Sequence, residues 1–169
     1  MTYQEMVTHL KKPGQDLLDS WTPEKASAMH MLVGLHDEAL ELHHALLNED
    51  VPNLIEEMGD MCFYVVGLAQ DLGVELNLGA EPDMNQKKPA AMMELVENCK
   101  RHLCYNKPLD VEKAAESMND IISQLAGISL QLGITLEEVT QLNYDKLMKG
   151  RYPNGYSDDA ANKREDKEI

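Results

Sequence analysis

Apolar residues recur along this chain at intervals of three and four, in runs separated by prolines, glycines and capping residues. The pattern predicts helices over about 2–11, 23–48, 51–73, 90–106, 111–133 and 136–150, and no stretch shows the period of two expected of a strand. Thr22 is placed to cap the second helix, with Pro23 at its first position. Asp50 caps the third, which carries Pro52 in its first turn and stops at Gly73. Asp110 opens a later helix that ends at Gly133, and Thr135 with Glu138 forms a capping box for the last. The first helix is expected to stop at Pro13 and Gly14. Residues 74–89, "VELNLGAEPDMNQKKP", have no sustained apolar period and read as a linker, while 158–169 read as a charged flexible tail.

Shifting the chain by sixty residues aligns "DVPNLIEEMGDMCFYVVGLAQDLGVEL" with "DVEKAAESMNDIISQLAGISLQLGITL", with nine of 27 positions identical. The identities include Asp50/Asp110, Glu56/Glu116, Asp60/Asp120 and Gly73/Gly133. The expected fold is therefore all-α: a four-helix core from two duplicated hairpins, about 23–73 and about 90–133, with flanking helices, in one domain over 1–157. The copies differ in chemistry, because Glu38, Glu41 and Glu57 of the first correspond to Asn98, Arg101 and Ser117 of the second.

Composition narrows the function. A chain of 169 residues that is 43% apolar can bury a core as a single domain. Its 30 acids against 15 lysines and arginines, a formal charge of -15, argue against nucleic acid or an anionic membrane as partner. An anionic substrate would need the help of a metal. No stretch approaches the roughly 18 apolar residues of a membrane span, and the first residues lack the apolar run of a secretory signal, so a cytoplasmic protein is expected. Cys62, Cys99 and Cys104 lack a metal-binding spacing and read as packing thiols.

The segment "HDEALELHHALLNEDVPNLIEEMGDM" threads acids through the apolar stripe that must be buried. Glu38 and Glu41 are three apart on one helix, Glu57 and Asp60 three apart on the next, so each pair projects from one face. In an antiparallel hairpin, residues lie level when their numbers share a constant total. Glu38 with Asp60, and Glu41 with Glu57, both total 98, which centres the turn at residue 49, where the cap and Pro52 already place it. Four carboxylates on otherwise apolar faces would repel one another unless a cation were present, and hard oxygen donors suit Mg²⁺ or Mn²⁺. A solvated acidic face is the plainer alternative.

The order ExxE at "EALE", then ExxD at "EMGD" with a glycine before Asp60, resembles the signature of the all-α nucleoside triphosphate pyrophosphohydrolases, the MazG and dimeric dUTPase superfamily. "NYDKLMKGRYPNGYS" is similar to the Asn, Lys and Arg-Tyr-Pro segment that follows the last core helix of MazG-like members. This resemblance implies Mg²⁺-dependent hydrolysis of a (deoxy)nucleoside triphosphate to the monophosphate and pyrophosphate, a hydrolase of nucleotide metabolism, and a homodimer. Glu38, Glu41, Glu57 and Asp60 would hold metal, with Glu38 or Glu41 orienting or deprotonating water. Glu56 would be an outer acid. Asn143, Lys146, Lys149 and Arg151 would meet the triphosphate, although cations at a helix end also serve its dipole. Trp21, Tyr64, Tyr152 and Asn154 are candidates for contacting the base. Arg101 is a further substrate candidate, because the repeat places it at the position of Glu41.

Two rival readings remain open. Glu41 and His44 form one Glu-x-x-His, as in di-iron carboxylate bundles, yet such a site needs the motif twice. A non-catalytic acidic helical protein that binds nucleotides or other partners would use the same bundle without turnover.

Overall fold

The computed structural model describes residues 1–84 and 90–163, and among them the fold is all-α, without a strand. Its helices are α1 Tyr3–Leu10, α2 Gly14–Leu18, α3 Pro23–Leu47, α4 Val51–Leu72, α5 Ala91–Tyr105, α6 Val111–Gln131 and α7 Leu136–Asp145. A π-helical turn, Lys146–Arg151, continues α7, and α8 spans Asp158–Lys163. None is long and apolar enough to cross a membrane.

The caps act locally as their residue types require. The side chains of Thr22, Asp50 and Asp110 accept hydrogen bonds from the backbone N–H three residues on, and Thr135 with Glu138 makes the reciprocal capping box. Gly73 closes α4 in the left-handed conformation at φ 63°. Gly14, by contrast, begins α2 instead of only ending α1, because Pro13 supplies the extended residue before a first turn. α7 stops at Asp145, five residues before the sequence suggests, where i→i+5 bonding takes over, as in Tyr152 N–H to Leu147 O at 2.7 Å.

α3 and α4 form the first hairpin, α5 and α6 the second, and they pack into a four-helix core with α7 laid across α4 and α6. Leu35, Met58, Val65, Leu68, Leu95, Leu103, Met118 and Ile122 are completely buried at its centre. Met58 and Met118 occupy equivalent places in the repeat, and both lie at 0% exposure. The start of α3 lies beside the end of α5: Lys25 Nζ donates to Asn106 Oδ1 at 2.6 Å, and Trp21 Nε1 to the Leu103 carbonyl at 3.0 Å. α3 and α5 therefore run antiparallel.

Two glycines set the register of the first hairpin. A Cβ on Gly34 would collide with the ring of Tyr64, and one on Gly67 would lie 2.7 Å from Met31 Sδ. Both pairs total 98, the constant deduced from the acids. Small residues opposite large ones thus lock the helices level by level. The described part of the linker, 74–84, runs along α6, with Asp83 N–H donating to the Ser123 carbonyl at 2.8 Å and Asn77 N–H to Asn119 Oδ1 at 2.9 Å. Residues 164–169 of the expected tail lie outside the described residues, and 158–163 form α8.

Candidate active site

α3 and α4 carry their acids to one place. Carboxylate oxygens of Glu38, Glu41 and Glu57 lie within 4.8 Å of one another. Glu57 is buried at 2% exposure, Glu38 is partly buried, and Glu41 opens to solvent, so the cluster forms a graded mouth between the helices. Burial raises the Glu57 carboxyl, and its hydrogen bond to Glu38 and the charges of Glu41, Glu38 and Asp60 push it further, to about 8. Glu38 is also raised, first by burial and then by Asp60 and Glu41, although the hydrogen bond with Glu57 and the charge of Lys146 pull the other way. Glu57 therefore keeps a proton that it donates to Glu38. Negative charge this concentrated fits a hard divalent cation, and three carboxylate donors are an appropriate set for Mg²⁺ or Mn²⁺.

Asp60, one turn beyond Glu57, is held from α7 and the π-helical turn. Lys146 Nζ lies 2.6 and 2.7 Å from its two carboxylate oxygens, and Asn143 Nδ2 donates to Oδ1 at 2.5 Å. Lys146 also pairs with Glu56 at 3.3 Å. These residues are only 17–33% exposed, so the pairs are screened less than surface ones. Asn143 can come this close because residue 59 is glycine: a Cβ there would lie 2.7 Å from the Asn143 Cβ. Asn143, Lys146, Glu56, Pro52, Ile55 and Leu142 surround a hollow of about 210 Å³.

The remaining predicted residues divide. The i→i+5 turn carries Arg151 back toward the side of Lys146. The Arg151 guanidinium lies 6.0 Å from the Tyr152 ring centroid, over its face, and Arg151 and Tyr152 both bear on the Tyr64 phenol, which burial and then Glu38 and Asp60 raise above its usual range. Tyr64 thus links the acids to the C-terminal segment, where Arg151, Tyr152 and Asn154 help to line a second hollow of about 200 Å³. Lys149 turns back to Asp145 at 2.9 Å and is largely exposed. Trp21 is committed to the Leu103 carbonyl. Arg101 is exposed on α5 and, among the described residues, pairs with none of the carboxylates. The only group of three potential metal ligands found among the described residues is the acid cluster, which includes no histidine. The tie between Lys146 and Glu56, and the notch that Gly34 cuts for Tyr64, had no motif to announce them, but Gly34 lies level with Tyr64 by the same arithmetic that aligned the acids.

Residues 26–82 match the family model of the MazG nucleotide pyrophosphohydrolase domain. The first hairpin is MazG-like. The match covers α3, α4 and the start of the linker, and with them all four acids of the two motifs; it supports nucleotide pyrophosphohydrolase activity in general terms. No curated protein and no solved structure matches the chain.

Two outcomes follow from this geometry. Gly59→Ala in the MazG-like hairpin forces Asn143 away from Asp60, and urea unfolding should show a loss of about 1–3 kcal/mol. Because the Glu57 carboxyl is raised in the fold, from 4.5 to about 8, folded protein retains a proton that unfolded chain releases. Its contribution is full below about pH 4.5 and is lost as pH rises through about 8. Glu57→Gln should flatten that part of the stability profile, seen as a smaller difference between urea midpoints at about pH 5 and about pH 9.

Proposed function

We propose that this protein hydrolyses a (deoxy)nucleoside triphosphate between its α and β phosphates, giving the monophosphate and pyrophosphate, as a cytoplasmic step of nucleotide-pool housekeeping carried out by a homodimer. The observation that carries this reading is the convergence of Glu38, Glu41 and Glu57 within 4.8 Å, in the hairpin that matches the MazG domain, beside a lysine and an asparagine held on Asp60.

Glu38, Glu41 and Glu57, with Asp60 alongside, would hold Mg²⁺ or Mn²⁺, which supplies neutralisation of phosphate charge and activation of water. The chain's own groups do the rest. Glu41 is the most exposed of the clustered acids and Glu38 is next to it, so one of them orients the attacking water or takes its proton. Glu57, buried and proton-sharing, holds Glu38 in place. Lys146 and Arg151, at the two ends of the π-helical turn, meet the triphosphate tail, and Asn143 adds an amide donor. The rings of Tyr64 and Tyr152 offer faces for the nucleoside next to the acids.

A panel of canonical and modified (d)NTPs with Mg²⁺ or Mn²⁺ tests this reading, scored for pyrophosphate against orthophosphate. Pyrophosphate release that is abolished by a chelator is the expected result. Orthophosphate alone would contradict cleavage at the α phosphate, and no release with any nucleotide would favour a binding protein. Glu41→Gln should lower turnover by at least about a hundredfold while leaving helical circular dichroism unchanged.

A further inference from the structure

The stripe of α3 that carries the acids does not end with them. Glu41, Glu38, Gly34 and His30 follow one another toward the start of the helix at steps of three, four and four, so they share one face. Opposite them on α4 stand Glu57, Asp60 and Tyr64. Along this mouth the chemistry changes with distance from the turn. Nearest the turn is the hollow bounded by Glu56, Asn143 and Lys146, and the acids come next. Beyond them Tyr64 sits in the notch of Gly34, and last comes His30, eight residues and about 12 Å from Glu38 along the axis. A nucleoside triphosphate has the same order of parts, from charged tail through α phosphate and sugar to base. With the tail at the charged end, the base lies at the aromatic end.

The His30 imidazole is exposed and stands almost at right angles to the Tyr64 ring, with 80° between the planes and centroids 6.1 Å apart. Tyr64 does not need it as a brace. Its ring is already seated on Gly34, where a Cβ would collide with it, and Phe63 meets it edge-on at 5.3 Å and 83°. Among the described residues, neither ring nitrogen of His30 has a hydrogen-bond partner. A third ring at this point therefore adds hydrogen-bonding capacity more than support.

We propose that His30 reads the hydrogen-bonding edge of the substrate's base while the base lies against Tyr64, and so sets which bases this protein prefers. The inference rests on the nucleotide reading above and adds to it a residue that determines specificity. A neutral imidazole offers one donor and one acceptor at fixed places on a flat ring. It separates guanine and thymine, which present a carbonyl, from adenine and cytosine, which present an amino group in its place. A mismatched base leaves two donors or two acceptors face to face, and the discrimination comes from that unmet pairing.

Two variants of the full chain separate reading from bracing. His30→Phe keeps a ring against Tyr64 but has no nitrogen, whereas His30→Gln keeps a donor and an acceptor without the ring. With Mg²⁺, kcat/KM for dGTP and dTTP should differ from that for dATP and dCTP by at least about tenfold in the unsubstituted protein, as one hydrogen bond allows. The ratio should fall below about threefold in His30→Phe and stay closer to the original in His30→Gln. An unsubstituted protein indifferent to base, or a His30→Phe variant that keeps the original ratio, would overturn the proposal. A second measurement needs no turnover: the imidazole NMR signals of His30 are followed while the four deoxynucleoside monophosphates are added with a chelator present. They should shift to an extent that depends on the base, with those of His9 on α1 unmoved, and no shift with any of the four would also overturn it. If no nucleotide released pyrophosphate, the hydrolase reading would fall, and the NMR titration alone would decide the role of His30.

Discussion

Like charges brought close together out of water are the constraint from which the rest of this structure follows. Three carboxyl groups within 4.8 Å, one of them fully buried, would part if the backbone allowed it. The helices prevent that. Gly34 seated on Tyr64 and Gly67 on Met31 fix the separation and the level of α3 against α4 on the side of the acids away from the turn, so the repulsion cannot be relieved by sliding. It is relieved instead by a shared proton on Glu57 and by Lys146 on Asp60.

Much of this arrangement was legible in the chain because one number governs a helical hairpin. Once Asp50 and Pro52 place the turn, every level pair is determined, and the acids had to converge wherever the stripe was buried. The glycines opposite Tyr64 and Met31 obey the same number, and they carried a signal that motif matching passes over. All-α architecture and the paired hairpins were equally readable, from caps whose side chains reach the N–H three residues away. What lay beyond one hairpin was harder. The approach of Asn143 and Lys146 to Asp60 depends on how α7 crosses α4, a tertiary angle that no local period encodes. The resemblance supplied those residues, whereas arithmetic did not. Arg101 shows the converse: equivalence in a repeat gives a position within a hairpin, but a side chain's neighbours depend on how the two hairpins meet.

The π-helical turn shows why the end of α7 differs from its sequence expectation. A regular helix from 136 to 150 would point Arg151 well away from Lys146, since five residues amount to nearly one and a half turns. The wider i→i+5 turn returns it to the same side, next to Tyr152 and within reach of Tyr64. Local irregularity here turns toward one side two cations that an ideal helix would point apart.

Gly67 and Gly127 stand at matching places in the two copies, yet they admit different visitors: the first takes the sulfur of Met31, the second the linker backbone at Asp83. A dent inherited twice has been put to two uses, one joining neighbouring rods and one anchoring the connecting strap. A repeated segment of this kind can take different partners while keeping its own shape, and that freedom lets one half carry the acids and the other go without them inside a single bundle.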